Sequence, residues 1–137
     1  MTDLYVEKAL KEILSEFASN RVYLMRAPQN VTQPFIIYRR TDSDRIRHIN
    51  GPSGLVFASF QIDVYANKPY DAKDIASAIQ TKLDGFRDTV YYGSNSPQDS
   101  IRIAGISLQN EFDDLSEQDA EPYLYRNTMI FLVKYEQ

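Results

Sequence analysis

A catalytic histidine would be the simplest sign of chemistry in this sequence. His48 is the only histidine among the 137 residues, and it lies close to Arg45, Arg47 and the turn residues Asn50 and Gly51. A Ser–His–Asp site needs a histidine that is held in a pocket and oriented by a third group. The arginines and turn residues around His48 instead favour an exposed loop histidine. The sequence contains no P-loop, HExxH or GxSxG pattern, so we predict a protein that is not an enzyme.

Six acidic residues near the end of the chain form a candidate metal site. They are Glu111, Asp113, Asp114, Glu117, Asp119 and Glu121. Carboxylate oxygens suit hard cations such as Mg²⁺ and Ca²⁺, but the glycine and the terminal glutamate of an EF-hand loop are missing. We therefore interpret the segment as a solvated acidic loop and predict no metal and no cofactor. A small hydrolase or nuclease that uses this cluster with a metal is the enzymatic alternative.

A basic segment precedes this acidic one in the chain. Its arginines are Arg39, Arg40, Arg45 and Arg47, and they are interrupted by Asp42 and Asp44. Nucleic-acid surfaces combine continuous positive charge with stacking aromatic rings, whereas this chain has a formal net charge of −4. Tight DNA binding is not expected, because neutralising phosphates supplies most of the affinity for nucleic acids. A solvated hairpin tip is the simplest interpretation, with a subunit contact and a DNA contact as alternatives.

Length and composition are those of one ordinary domain. The chain is 43% hydrophobic and 25% charged, so we expect a single domain over residues 1–137. It has no cysteine, which excludes disulfides and permits a reducing cytoplasm. The first residues include acids and no long apolar block, so we expect no signal peptide. No stretch approaches the ~20 apolar residues of a membrane span.

Two helices and six strands are predicted to position the charged segments. Apolar residues recur at three- and four-residue steps over 3–19 and 71–83, which indicates two helices with one buried face each. Asn20 is predicted to end the first helix, Asp71 to cap the second, and Gly85 to follow it. Strands are predicted at 21–25, 35–41, 55–66, 89–92, 101–112 and 123–135, with 41–54 as a long hairpin connection. This order predicts an α+β fold, in which both helices cover one face of a mostly antiparallel sheet.

Two of these strands carry informative side-chain patterns. One face of the strand at 55–66 is mixed and includes Phe57 and Tyr65, whereas the other is wholly apolar: Val56, Ala58, Phe60, Ile62, Val64 and Ala66. The last strand is apolar on both faces, because Ile130 and Leu132 alternate with other apolar residues. Helices on one side of a sheet cover only one face. We therefore predict that the second face is covered by a loop of the same chain or by another subunit.

Several short segments have an order and spacing that are informative when taken together, and they span nearly the whole chain except 101–121. They are Arg21-Val22-Tyr23; Arg26-Ala27-Pro28-Gln29; Pro34-Phe35-Ile36-Ile37-Tyr38; Asn50-Gly51-Pro52-Ser53-Gly54-Leu55; Gln61-Ile62-Asp63-Val64-Tyr65; Tyr70; and Tyr125-Arg126. Each alone is common, but the ordered set resembles the tail completion proteins of long-tailed bacteriophages, which are also called tail terminator or tail-to-head joining proteins.

The resemblance implies a structural protein of a phage or prophage virion. Such proteins usually form a ring, commonly of six subunits, that caps the finished tail tube and meets the head connector. The implied partners are other copies of the chain, the tail tube protein and the head connector protein, while DNA passes through without tight binding. The implied location is the virion tail, or the host bacterial cytoplasm during assembly. Another neck component, such as a head completion or adaptor protein, is the alternative.

A ring needs two different surface patches on each subunit. The basic segment 39–48 and the acidic segment 111–121 have opposite charges, and we predict that they meet across subunits and set the register of the contact. The predicted contact residues are Arg39, Arg40, Arg45, Arg47, His48, Phe57, Tyr65, Glu111, Asp113, Asp114, Glu117 and Asp119. The isolated chain is compatible with a monomer that assembles only on the tube.

Overall fold

The computed structural model describes residues 3–28, 31–48, 51–92, 100–115 and 124–136. Within them lie two α-helices, α1 (Asp3–Leu14) and α2 (Pro69–Leu83). The strands are β1 (Val22–Leu24), β2 (Phe35–His48), β3 (Gly51–Ala66), β4 (Asp88–Tyr91), β5 (Ser100–Leu115) and β6 (Tyr125–Glu136). The order α1-β1-β2-β3-α2-β4-β5-β6 confirms the predicted order of elements. No helix in these ranges is both long enough and apolar enough to cross a membrane.

The strands form one sheet in the order β1-β2-β3-β6-β5-β4. Only β1 and β2 run parallel, and every other neighbouring pair is antiparallel. Both helices pack on the face that carries Val56, Phe60 and Ile62, which we call the helix face. The predicted α+β class, with a mostly antiparallel sheet, is therefore confirmed.

The helix boundaries follow local chemistry. The α-helical part of the first segment ends at Leu14 and continues as a 3₁₀ turn over Ser15–Phe17. Asn20 has a positive φ of 68°, and its N–H donates to the Ser15 carbonyl at 2.9 Å. Asparagine tolerates the left-handed conformation that commonly follows a helix. Asn20 therefore lies in the turn after the helical segment, but the predicted helix is too long, because the α-helix ends at Leu14 and the 3₁₀ turn at Phe17.

The predicted cap of α2 is wrong by three residues. The helix begins at Pro69, with Lys68 in the cap position and Asp71 inside the first turn. Proline suits the first turn because its missing N–H would have no helical partner there. An acidic residue in that turn still favours the helix through the macrodipole. Gly85 follows the helix with a φ of 85°, as predicted.

The core lies between the helix face and the two helices. The predicted inward set of β3, from Val56 to Ala66, is at most 1% exposed. Opposite these residues on β6 lie Met129, Phe131 and Val133, which are also buried. Ala76 and Ile79 of α2 close the core from above and are fully buried.

The segment predicted as a long hairpin connection is instead strand. Strand β2 runs on to His48 and β3 begins at Gly51, so only two residues separate them. Asp44 pairs with Phe57 and Arg47 with Pro52, and the register shifts between Arg40 and Asp42 and again before Arg47. The charged residues after Thr41 do not alternate with apolar ones, so the apolar pattern gave no signal for a strand there, and the Asn50-Gly51 turn residues were assigned to the long connection. Asn50 itself lies outside the described residues.

Neighbouring residues of β6 offer a direct test of the two faces. Phe131 is fully buried on the helix face, whereas Leu132 is half-buried on the other face. We expect Phe131→Ala to lower the free energy of unfolding by about 3–5 kcal/mol. The matched Leu132→Ala variant should lose less than half of that, because less apolar surface leaves contact. Urea unfolding followed by circular dichroism measures both, and equal losses would contradict the assigned faces.

Candidate assembly surfaces

The face of the sheet opposite the helices is a candidate contact surface, and we call it the open face. It carries the residues that alternate with the buried set, including Phe57, Tyr65, Ile130 and Leu132, all of which are half-buried. Lys134 Nζ lies 5.3 Å from the centre of the Phe57 ring, and Phe35 stacks on Tyr65 at 4.9 Å. The predicted contact residues Phe57 and Tyr65 thus lie on this face, each partly covered by one side chain of the same chain.

A buried polar network crosses the middle of the open face. Asp63 is only 6% exposed, and it accepts hydrogen bonds from Thr128 Oγ1 at 2.6 Å and from Gln61 Nε2 at 3.1 Å. Arg39 Nη2 donates to Gln61 Oε1 at 3.2 Å, which connects the exposed arginine to the network. A buried carboxylate without such partners would be strongly unfavourable. The network therefore lets a charged residue lie in the centre of the sheet.

Arg126 extends this network toward the start of β6. Its Nη2 pairs with Asp114 Oδ2 at 2.9 Å. Burial disfavours the charged guanidinium, but Tyr65, Asp63 and Asp114 outweigh that effect and raise the pKa of Arg126. Arg126 Nε is buried and has no hydrogen-bond partner in the part of the chain that the structure describes.

The predicted basic segment is divided between structural and surface residues. Arg40 lies on the helix face, where it binds Glu7 Oε1 of α1 at 3.0 Å and Tyr135 Oη at 3.1 Å. Burial alone would lower the pKa of Arg40, but its contacts with Tyr135 and Glu7 raise it. Arg40 therefore fixes α1 to the sheet, whereas its neighbour Arg39 is exposed on the open face.

Tyr38 reinforces the contact between α1 and the sheet. Its hydroxyl donates to the Glu7 carbonyl at 2.8 Å. Burial, with a smaller contribution from the Glu7 carboxylate, raises the pKa of Tyr38 well above its ordinary value. The phenol consequently stays protonated and keeps its role as a donor.

Three of the predicted contact residues lie near the tip of the β2–β3 hairpin. The backbone of Arg45 pairs with Val56, that of Arg47 with Pro52 and that of His48 with Gly51. The prediction that His48 lies in a loop is wrong, because His48 is the last residue of β2. Because β2 ends at His48 and β3 begins at Gly51, the long loop that the sequence suggested is wrong.

The predicted acidic loop is also partly strand. Glu111, Asp113 and Asp114 belong to β5, while Glu117, Asp119 and Glu121 lie outside the described residues. Successive strand residues point to opposite faces, so Asp113 lies on the helix face and Asp114 on the open face. The described residues contain no group of three or more histidine or carboxylate side chains arranged to hold a metal ion.

The acids on the helix face already have partners in the chain. Asn127 Nδ2 donates to Glu111 Oε2 at 2.9 Å and to Asp113 Oδ1 at 2.8 Å. Lys73 of α2 pairs with the other oxygen of Asp113. The hydrogen bond from Lys73 is the largest cause that lowers the pKa of Asp113, and the hydrogen bond from Asn127 is the next largest. These acids connect α2 to the sheet.

The tip of the basic hairpin and the acids of β5 lie at opposite ends of the sheet, whereas Arg39 and Arg40 lie in its middle. The pairing of β3 with β6 runs from Leu55 opposite Glu136 to Ala66 opposite Tyr125. The β2–β3 tip lies beyond the first pair, and the acids of β5 lie beside the last pairs. The hairpin tip and these acids of β5 therefore do not meet within one chain, and the predicted contact across subunits stays a prediction.

Sequence reasoning missed two grooves that flank α1. One, of about 470 Å³, lies between α1 and β1, and the other, of about 390 Å³, lies between α1 and β4. Each combines residues that are far apart in the chain, so local sequence patterns gave no signal for either groove.

Comparison with known proteins identifies the family. A sequence model described as tail completion protein gp17 matches residues 4–126. This chain belongs to the tail completion protein family. Membership indicates a structural protein that acts in phage tail or neck assembly. No curated protein sequence is significantly similar to the chain.

A solved structure confirms the fold of this family member. It is a chain from the "Virion of native gene transfer agent (GTA) particle", which matches with a TM-score of 0.67 and 17% sequence identity. The match covers 96% of this chain and 92% of that chain. At this identity the likeness concerns the fold alone.

Two of the segments that resemble the tail completion family, Gln61 to Tyr65 and Tyr125-Arg126, come together on the open face. Tyr65 pairs with Arg126, and Asp63 pairs with Thr128. Gln61, Asp63 and Tyr65 share this face because they are two residues apart on one strand. The alternating pattern of β3 is enough to predict from the sequence that these three residues share a face. Their closeness to Arg126 could not be predicted in this way, because it depends on the register between β3 and β6.

We expect Arg40→Met to lower the free energy of unfolding by about 3–5 kcal/mol, because it leaves the Glu7 carboxylate without its main countercharge. The adjacent Arg39→Met variant is the matched control and should cost less than about 1 kcal/mol. Arg40→Met combined with Glu7→Leu should recover part of the loss, since no buried charge is then unpaired. Urea unfolding measures all three variants, and similar losses for Arg39 and Arg40 would show that the ion pair does not hold α1.

We expect Lys73→Gln to raise the pKa of Asp113 toward its ordinary value, because the largest cause of its depression is removed. A depressed carboxyl pKa stabilises the fold above the unfolded value of about 3.9, and this contribution is lost as the pH falls through the folded value. A carbon-detected NMR titration of the Asp113 carboxyl measures the shift. Lys82→Gln on the same helix is the control, and an unchanged Asp113 titration in Lys73→Gln would remove the proposed pair.

Proposed function

We propose that this protein caps the phage tail tube as a ring and joins the tail to the head. The observation that carries the proposal is the open face, whose half-buried Ile130 and Leu132 have no helix over them in the described residues. Exposed Phe112, at 47%, adds apolar surface at one end of the same face. Contiguous apolar surface on a folded chain marks a contact with another protein.

The size of the subunit is sufficient for such a ring. Two contacts of about 800 Å² each would use roughly a fifth of its 8304 Å² of accessible surface. The remaining surface is available for the tail tube protein on one side and the head connector protein on the other. The proposed mechanism is binding: the ring covers the last layer of tube subunits and prevents further growth.

We take six copies as the working number, as the resemblance to tail completion proteins implies. The net charge of −4 suits a conduit that DNA passes without tight binding. We propose that the protein is made in the host bacterial cytoplasm and remains in the virion tail. The ring forms on the tube end if the isolated chain is a monomer.

Purified protein mixed with tail tubes and, separately, with head connectors tests this function. We expect negative-stain images to show a ring at one end of each tube, and tube growth to stop when the protein is added to polymerising tube subunits. Binding to connectors or heads with no binding to tubes would instead assign the protein to another neck position, such as head completion or adaptor.

The predicted contact between the basic hairpin and the acidic strand has its own test. If Arg45 and Arg47 meet acids of a neighbouring copy, Arg45→Glu with Arg47→Glu should weaken ring formation at low salt, where charge attraction is least screened. Lys68→Glu with Arg102→Glu gives the same charge change at two exposed positions and is the control. Rings that form unchanged in the hairpin variant would remove this contact from the assembly.

A further inference from the structure

The two outer strands of the sheet are β1 and β4. Helix α1 packs against both of them and against β5, so it lies between the two edges of the sheet. Outer strands present unpaired backbone groups that can join another chain. The two grooves beside α1 run along these edges, and their residues differ in charge.

The groove at β1, which we call the β1 groove, has an apolar floor and a basic rim. Val22, Leu24 and Tyr38 line it, together with Lys8, Lys11 and Arg26. Its one acidic residue, Glu7, is bound to Arg40. Leu24 is 43% exposed, and Met25, next to it in the chain, is 66% exposed with a positive φ of 73°. Large exposed apolar side chains thus lie beside cations.

The groove at β4, which we call the β4 groove, has the opposite charge. Ile13, Phe86 and Val90 line it, and its rim carries Glu12, Glu16 and Asp88 with Lys82 as its one cation. Tyr91 at the end of β4 is 56% exposed. Each groove therefore combines apolar lining residues with a large exposed side chain, Leu24 in one and Tyr91 in the other. The charges on their rims are opposite in sign.

We infer that the β1 groove of one copy docks on the β4 groove of the next copy, and that this head-to-tail contact builds the ring. The inference rests on the proposed function, and it names the surfaces that join the subunits. Two unlike patches per subunit generate a heterologous contact, which closes into a ring when the rotation allows it. A two-fold contact of one groove with its own copy would bring like charges together, which is unfavourable.

The rim charges are available for such a contact. Across the described ranges, Lys11 and Arg26 on one rim and Glu12 and Glu16 on the other enter no ion pair. By contrast, Asp113 and Asp114 at the acidic end of β5 are already paired with Lys73 and Arg126. A contact through the grooves breaks none of these pairs, whereas a contact through the acids of β5 must compete with them.

Exchange of the rim charges tests the inference. The first variant carries Lys11→Glu and Arg26→Glu, and the second carries Glu12→Lys and Glu16→Lys. Each alone places like charges at every contact, so we expect the concentration needed for assembly to rise at least about tenfold. An equimolar mixture restores opposite charges at every contact of an alternating ring, and so does a chain that carries all four substitutions.

Native mass spectrometry and sedimentation measure the assembly, first in solution and then on tail tube ends. Circular dichroism melting confirms that each variant is folded, which is expected because all four side chains lie on the surface. Loss of assembly in both single-rim variants with recovery in the mixture and in the four-substitution chain supports the contact. The inference is overturned if either single-rim variant assembles as well as the original chain. It is also overturned if the four-substitution chain does not recover assembly.

The same measurements separate this inference from the proposed function. If the original chain forms no ring in solution or on tubes, the ring-forming function itself is wrong. If the original chain forms rings and the single-rim variants form them equally well, the function stands and only the groove contact is wrong.

Discussion

The pairing of β3 with β6 is the constraint on which the rest of the structure depends. Their register runs without a shift from Leu55 opposite Glu136 to Ala66 opposite Tyr125. A slip of one residue would turn the apolar side chains of β3 from the core to the open face. It would also break the contacts of Asp63 with Thr128 and of Tyr65 with Arg126. One register therefore determines both the core and the polar network on the opposite face.

The helices and the sheet edges follow from this central pair. α2 connects the end of β3 to the edge strand β4, and α1 is held against the sheet by Arg40 and Tyr38. Because β1 and β4 are only three and four residues long, they offer few backbone groups for pairing with another chain. Short edges limit uncontrolled association, so side chains around them have to supply the specificity of any subunit contact.

Much of this fold could be predicted from the sequence wherever apolar residues follow one period. The strict alternation of β3 and the three- and four-residue steps of α2 gave the right faces, because burial selects those residues directly. The basic hairpin and the acidic end of β5 were predicted as loops because their strands carry charges on both faces. Their pairing comes from the neighbouring strand, which a local pattern does not contain. The grooves depend on α1 meeting two distant edges, which only the completed topology provides.

The arrangement of surfaces also separates two kinds of contact within the proposed ring. If copies join through the grooves at β1 and β4, the contact uses the edges of the sheet and leaves its open face uncovered. The buried carboxylate of Asp63 is satisfied within the chain, so a partner can cover this face without stranding that charge. Ile130 and Leu132, which are half-buried, supply apolar area for such a partner. Under the proposed function, the edges then hold the ring together while the open face meets a different protein, the tail tube or the head connector.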